Sequence, residues 1–261
     1  LTLIGGLLFV VLAANAADHF LNDYRTWREA AQSVSLNAAA DRLYDAAADA
    51  AVERGLTNIL VRGPALRTPS NLEALRVTRA KVDAELAAAV AAARATIGTV
   101  PQFAGGAEIL DREFSALLTW RSDVDQAFAA GAAWNDEKAQ AWFDQATGVV
   151  DALRAVRGLV EAQTPLFGKG TVAAMQTKRS LWQLVEHVGR ERGTLSGIIA
   201  EKRALRPAEE LRLTGYRALV ESGWFVAQGH APLLGGEAER RVTRAGQTVF
   251  GAYEALREQT Y

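Results

Sequence analysis

The sequence predicts an all-α protein of long up-and-down helical bundles, and three observations predict it. Apolar residues make up 49% of the 261-residue chain, alanine dominates, and there are only 6 prolines; alanine is the best helix former and proline the worst. No period-2 run of β-branched residues bounded by turns is present. Apolar side chains recur instead at heptad spacing. Leu36, Leu43, Ala50 and Thr57 form one row, and Ala40, Ala47, Arg54 and Val61 the next, together an a/d-type seam. The expected arrangement is two stacked four-helix bundles sharing long helices, with sub-bundles over residues 18–165 and 166–261.

The elements follow in order. The first helix runs from the apolar N-terminus to about Arg62, where Gly63-Pro64 stops it and Thr68-Pro69-Ser70-Asn71 supplies turn and cap chemistry. A second helix covers about Leu72 to Ile97, with Leu75, Val82, Leu86 and Val90 on one face. Gly98 to Pro101 and Gly105-Gly106 mark a break, and a third helix covers about Ala107 to Ala130. A fourth begins after Gly131 with Asn135 or Asp136 as N-cap and ends near Thr164-Pro165. The fifth runs from about Val172 to Leu205 and ends at Arg206-Pro207. The sixth reaches about Gly229 and is broken by Pro232 and Gly235-Gly236; the last starts near Glu237.

Residues 1–17 carry no charge and the chain does not start with Met. They are expected to be the end of a transmembrane anchor in an excerpt of a longer protein, followed by an extracytoplasmic domain over 18–261. Two alternatives stay open: a signal peptide, since Ala14-Asn15-Ala16 resembles a cleavage site, or a buried core helix. The net charge is −1, which gives no basic field for nucleic acid. The absence of Cys excludes disulfides and thiolate sites. His19, His187 and His230 lack metal-ligand spacing, so neither metal nor cofactor is expected. Asp111, Glu113, Asp123 and Asp125 are neighbours only in sequence and have no base-orienting partner, so no enzyme is expected. Gly168-Lys169-Gly170-Thr171 lacks the glycine and strand of a phosphate loop.

Two Glu-Arg-Gly triplets carry the functional signal: Glu53-Arg54-Gly55 and Glu191-Arg192-Gly193. Arg54 falls on the apolar seam. Arg192 falls between Val185 and Ile199, beside the row Leu181, Val188 and Leu195, and is expected to face inward as well. A buried guanidinium must meet an anion, either a protein carboxylate or a ligand. Its planar fork matches nitrate or a carboxylate. Thr57, Asn58, Ser196 and Arg190 stand close enough in sequence to add donors, and each following glycine would let a neighbouring helix approach.

The run Glu53 to Leu60, followed by Arg79-Ala80-Lys81-Val82-Asp83, resembles the nitrate- and nitrite-sensing (NIT) domains. Arg190-Glu191-Arg192-Gly193, with Tyr216-Arg217 and Trp224 downstream, is similar to the distal half of such bacterial receptor domains. The resemblance covers about Asp41 to Trp224, and the chain departs from it in a shorter, proline-rich loop at Arg62-Gly63-Pro64. It implies a periplasmic sensor in the inner membrane that binds a small anion, nitrate or nitrite, through Arg54 and Arg192; helical bimodular receptor domains, which bind small carboxylates, are the nearest competing family. It also implies a homodimer and a cytoplasmic output domain, such as a methyl-accepting chemotaxis module. The first and last helices would flank the membrane and transmit the signal. A ligand-free structural bundle is the competing expectation, with each arginine satisfied internally.

Overall fold

The computed structural model describes the backbone of residues 2–97, 101–163 and 168–260. Side chains are described from His19 to Ala95, from Ala104 to Gln163 and from Thr171 on, apart from residues 249, 256 and 259–261. The described residues are helical apart from short connections and carry no strand, as the composition predicts. The helices are α1 (Thr2–Arg62), α2 (Pro69–Ile97), α3 (Pro101–Ala129), α4 (Asp136–Ala162), α5 (Gly168–Ala200), α6 (Pro207–Leu234), α7 (Gly236–Ala245) and α8 (Gly251–Thr260). A short 3-10 turn at Pro64–Leu66 follows α1, and a π-helical segment at Gly246–Phe250 joins α7 to α8.

Helices α1 to α4 share one hydrophobic core. The predicted seam is buried along its length, from Leu36 and Leu43 to Val61. Leu75, Val82 and Leu86 of α2 face it, with Leu110, Leu117 and Val124 of α3 and Trp142, Val149 and Val156 of α4. Burying a large apolar side chain stabilises the fold by about 1.5–3 kcal/mol, so this core carries the bundle. Asn135 caps α4 as predicted, its Oδ1 accepting from the Lys138 amide at 2.9 Å.

Three features differ from expectation, two of them at helix boundaries. Gly105 and Gly106 lie inside α3 rather than before it. Pro232 is inside the last turn of α6. There the chain reverses at Gly235 and Gly236, whose φ of 65° and 52° favour residues without a Cβ. The third difference is in the assembly. Rather than stacking as a second four-helix bundle, α5 lies alongside α1 over its length. Lys178 meets Asp41 at 2.5 Å, Glu186 meets Arg54 at 2.7 Å, and the Asn58 amide reaches the Gly193 carbonyl at 3.0 Å. Among the described residues the second unit is three rods, α5, α6 and α7–α8, with a small core of Trp224, Ala227, Ala231 and Val242.

No helix of the described residues is long and apolar enough to cross a membrane. The expected anchor, residues 1–17, lies outside the described side chains. The reversal at Gly235-Gly236 sends α8 back to Glu191 on α5, level with the Arg54–Asn58 turn of α1.

Candidate functional site

The first triplet sits where α1, α4 and α5 meet. Arg54 is 1% exposed, as its place on the seam predicts. Its anion is Glu186: Nη1 donates to Oε1 at 2.7 Å and Nη2 to Oε2 at 3.2 Å. Nη1 also donates to Thr147 Oγ1 at 3.1 Å, and the guanidinium lies 4.9 Å from the centre of the Phe143 ring. Glu186 is clamped from the other side by Arg190 Nε at 2.6 Å, and Arg190 reaches Asp151 at 3.1 Å. Burial pushes the Glu186 carboxyl upward, but the two guanidiniums override it and hold it below the usual carboxylate range. The fork expected to hold a ligand is closed by a carboxylate of the protein itself.

The remaining predicted donors are also engaged or buried here. Asn58 donates to Gly193 O and accepts from Arg62 Nε at 3.1 Å. Arg62 continues to Asp136 at 2.5 Å and to Glu201. The Thr57 hydroxyl is fully buried without a hydrogen-bond partner, and Ser196 is half-buried on α5. Gly193 does allow close packing, because a Cβ there would lie 2.7 Å from Phe143 Cε2. Gly55 has open space around it, contrary to expectation.

Glu53 pairs with Arg121 of α3 through two hydrogen bonds at 2.7 and 2.6 Å. Its counterpart Glu191 pairs with Arg257 of α8 at 3.0 Å and accepts from the Tyr253 hydroxyl. In both triplets the glutamate therefore binds an arginine from within its own half of the chain. The arginines diverge. Arg192 is exposed, as are Val185 and Ile199 in its row, which corrects the expectation that it faces inward. The face that α5 turns toward α1 is marked by Gly189, Gly193 and Gly197 instead, beside Arg54, Phe143 and Arg62 respectively.

Arg192 stands at the rim of a cavity of about 380 Å³. Its walls are Leu181, Leu184, Val185 and Val188 of α5, Trp224 of α6, and Ala245, Phe250 and Tyr253 beyond. Trp224 and Phe250 stack at 5.1 Å with 14° between their planes. The π-helical segment shapes this wall, and π-bulges are frequent at functional sites. Gly246 opens the segment because a Cβ there would lie 2.2 Å from Trp224 Cζ2. Arg192 makes no hydrogen bond or ion pair among the described residues, so its five donors face the cavity mouth and solvent. Gly189 lines the same cavity and separates it from Arg54 Nη2.

Sequence reading missed Phe250 and Tyr253 as wall residues beside Trp224, because a π-turn leaves no periodic signal. It also missed Arg157, buried between the Tyr44 and Trp182 rings at 4.0 and 5.1 Å. Burial there pushes the Tyr44 hydroxyl up to about 12. Among the described residues no cluster of three or more His, Asp or Glu is placed to hold a metal. No protein-family model matches this chain, and neither does any curated protein or solved structure.

Proposed function

We propose that this chain is the ligand-binding module of a membrane-anchored bacterial signalling receptor, and that its ligand is a small organic carboxylate. The observation that carries the reading is the pairing of Arg192 with an apolar cavity whose volume suits a small ligand. A guanidinium that meets no protein anion among the described residues, beside an apolar pocket, fits a molecule with an apolar body and one carboxylate. Of the two ligand classes expected from the sequence, nitrate or nitrite and small carboxylates, this favours the carboxylate. Nitrate and nitrite have no apolar body to fill the space between Val188, Trp224 and Phe250. At Arg54 either ion would have to displace the Glu186 carboxylate.

The periplasmic location, inner-membrane anchorage and cytoplasmic output domain belong to this proposal; the uncharged run at residues 1–17 supports them. A ligand seated against Phe250 and Tyr253 would bear on the contact between α8 and Glu191. That is the part of the module it could move. The structural-bundle reading has one observation in its favour, the internal pairing of Arg54, Arg121 and Arg257 with carboxylates.

Calorimetry and thermal shift with hexanoate, benzoate and phenylacetate, with sodium nitrate as the contrast, test the reading. A ligand at about 100 times its Kd stabilises the folded state by about 2.7 kcal/mol. Arg192→Ala should remove that shift without altering the unliganded melting temperature, and Arg192→Lys should weaken it. No heat and no shift with any of the carboxylates, or binding that Arg192→Ala leaves unchanged, would overturn the proposal in favour of the structural bundle.

A further inference from the structure

Toward its N-terminus α1 continues beyond the bundle. From Phe20 to Val34 no other element covers it: Phe20 is 69% exposed, Tyr24 50%, Trp27 66% and Val34 70%, and Ala31 between them is exposed too. The five follow one another at steps of four and three residues, the a/d spacing of a two-stranded coil. At 1.5 Å per residue the stripe is about 21 Å long. The Tyr24 and Trp27 rings stack within it, 6.1 Å apart. It faces away from the core, since Leu36 and Leu43 occupy the opposite side of the helix. The stripe remains uncovered through Ala38 and ends at Asp41, where Lys178 of α5 arrives.

The flanking residues identify what covers it. With Tyr24 and Ala31 as a positions and Phe20, Trp27 and Val34 as d positions, Asp23 is a g position and Arg28 is the e position of the next heptad. In a parallel pair of helices each g residue meets the e residue five places further along the partner. Asp23 of one copy therefore meets Arg28 of the other, twice by symmetry. An antiparallel pair would set g against g and e against e, opposing like charges. Neither Asp23 nor Arg28 makes an ion pair within its own chain among the described residues. A face that lies in a lipid surface would carry basic residues beside its aromatics. Here Asp23 and Glu29 offset Arg25 and Arg28. We infer that this face of α1 is the docking surface for a second copy of the chain, packed in parallel and in register through Phe20, Tyr24, Trp27, Ala31 and Val34. The inference is independent of the ligand pocket.

The chain contains no cysteine, so single cysteines report the contact directly. In the full 261-residue chain in mild detergent, Tyr24→Cys and Trp27→Cys should form covalent dimers on mild oxidation. Asn22→Cys and Glu29→Cys, at f positions, should form several-fold less. Asp23→Arg and Arg28→Asp should each reduce the Trp27→Cys cross-link, and the two together should restore it, because the exchanged charges pair again. All these positions are exposed, so the fold is not at stake. Equal cross-linking at all four positions would mean random collision and overturn the inference. Failure of the double exchange to restore the cross-link would overturn the parallel register. Absence of any dimer, with Trp27 fluorescence shifting to the blue on vesicles of mixed zwitterionic and anionic lipid, would assign the face to the membrane instead.

Discussion

Replacing Arg54 by alanine tests whether the first triplet is structural. The guanidinium makes two hydrogen bonds to Glu186, one to Thr147, and a face contact with Phe143. Hydrogen bonds to charged groups are worth about 1.5–3 kcal/mol each, but these act on one shared pair and do not add. Breaking a buried pair by removing one member costs about 3–5 kcal/mol, because the other charge is left in the interior. Glu186 keeps Arg190 at 2.6 Å, which places the cost at the lower end, about 3 kcal/mol. At about 2–4 °C per kcal/mol for domains of 150–250 residues, Arg54→Ala should melt roughly 6–12 °C below the parent. Urea unfolding followed by circular dichroism supplies the matching free energy. The double variant Arg54→Met with Glu186→Leu should recover most of the loss, since an apolar replacement of a buried ion pair is often neutral. If Arg54→Ala stays within about 0.5 kcal/mol of the parent, as surface substitutions do, Arg54 and Glu186 are not a structural pair, and the argument against a ligand at Arg54 fails.

Three further outcomes are expected. Glu186→Ala leaves Arg54 and Arg190 facing a carboxylate-sized gap, so formate, acetate or nitrate at high concentration should raise its melting temperature and leave the parent's unchanged; differential scanning fluorimetry reads both. Stability should fall with acid in two windows. His187, its pKa lowered by burial, resists protonation that the unfolded chain accepts below about pH 6.5. Glu186 is held low by Arg54 and Arg190 against the opposing effect of burial, so it contributes above its ordinary value of about 4.5 and ceases to as pH falls through its folded value. Urea midpoints across pH 3–8 should show both declines, and His187→Gln should remove only the upper one. Gly246→Ala drives a methyl into Trp224 and should cost about 1–3 kcal/mol; near-ultraviolet circular dichroism should register the displaced Trp224–Phe250 stack.

Much of the helical frame is legible in the sequence, because α1 carries a seam at constant spacing, its stop at Gly63-Pro64 has a direct backbone cause, and Asn135 starts α4 as a side-chain cap. The orientation of α5 is not legible from its apolar rows. Val185, Arg192 and Ile199 recur at seven residues yet are exposed, while the face packed on α1 and α4 carries the glycines at 189, 193 and 197. Glycines there let helices meet at short range, so the contact is made by backbone and by the ring of Phe143 rather than by aliphatic side chains. The anion for Arg54 was hidden for another reason: Glu186 lies 132 residues away, and no local spacing encodes such a pairing. Pro232 and Gly105-Gly106 misled because a proline in a last helical turn, or glycines within a long helix, need not end it when packing supports the flanks.

The two triplets then form one arrangement used in two ways. In each, the glutamate takes an arginine from a later helix of its own half, Arg121 or Arg257, and holds that helix in place. In the first, the arginine turns to the other half of the molecule and takes Glu186, which fastens α5 to α1 and α4. In the second, the arginine turns away from the first half and meets no carboxylate among the described residues, and the space beside it is lined by Val188, Trp224 and Phe250. A buried guanidinium with its own anion contributes to architecture. An exposed one at the mouth of an apolar cavity is available to an anion from outside. The same tripeptide therefore has different consequences in the two halves, and the difference is set by what faces the arginine rather than by the triplet itself.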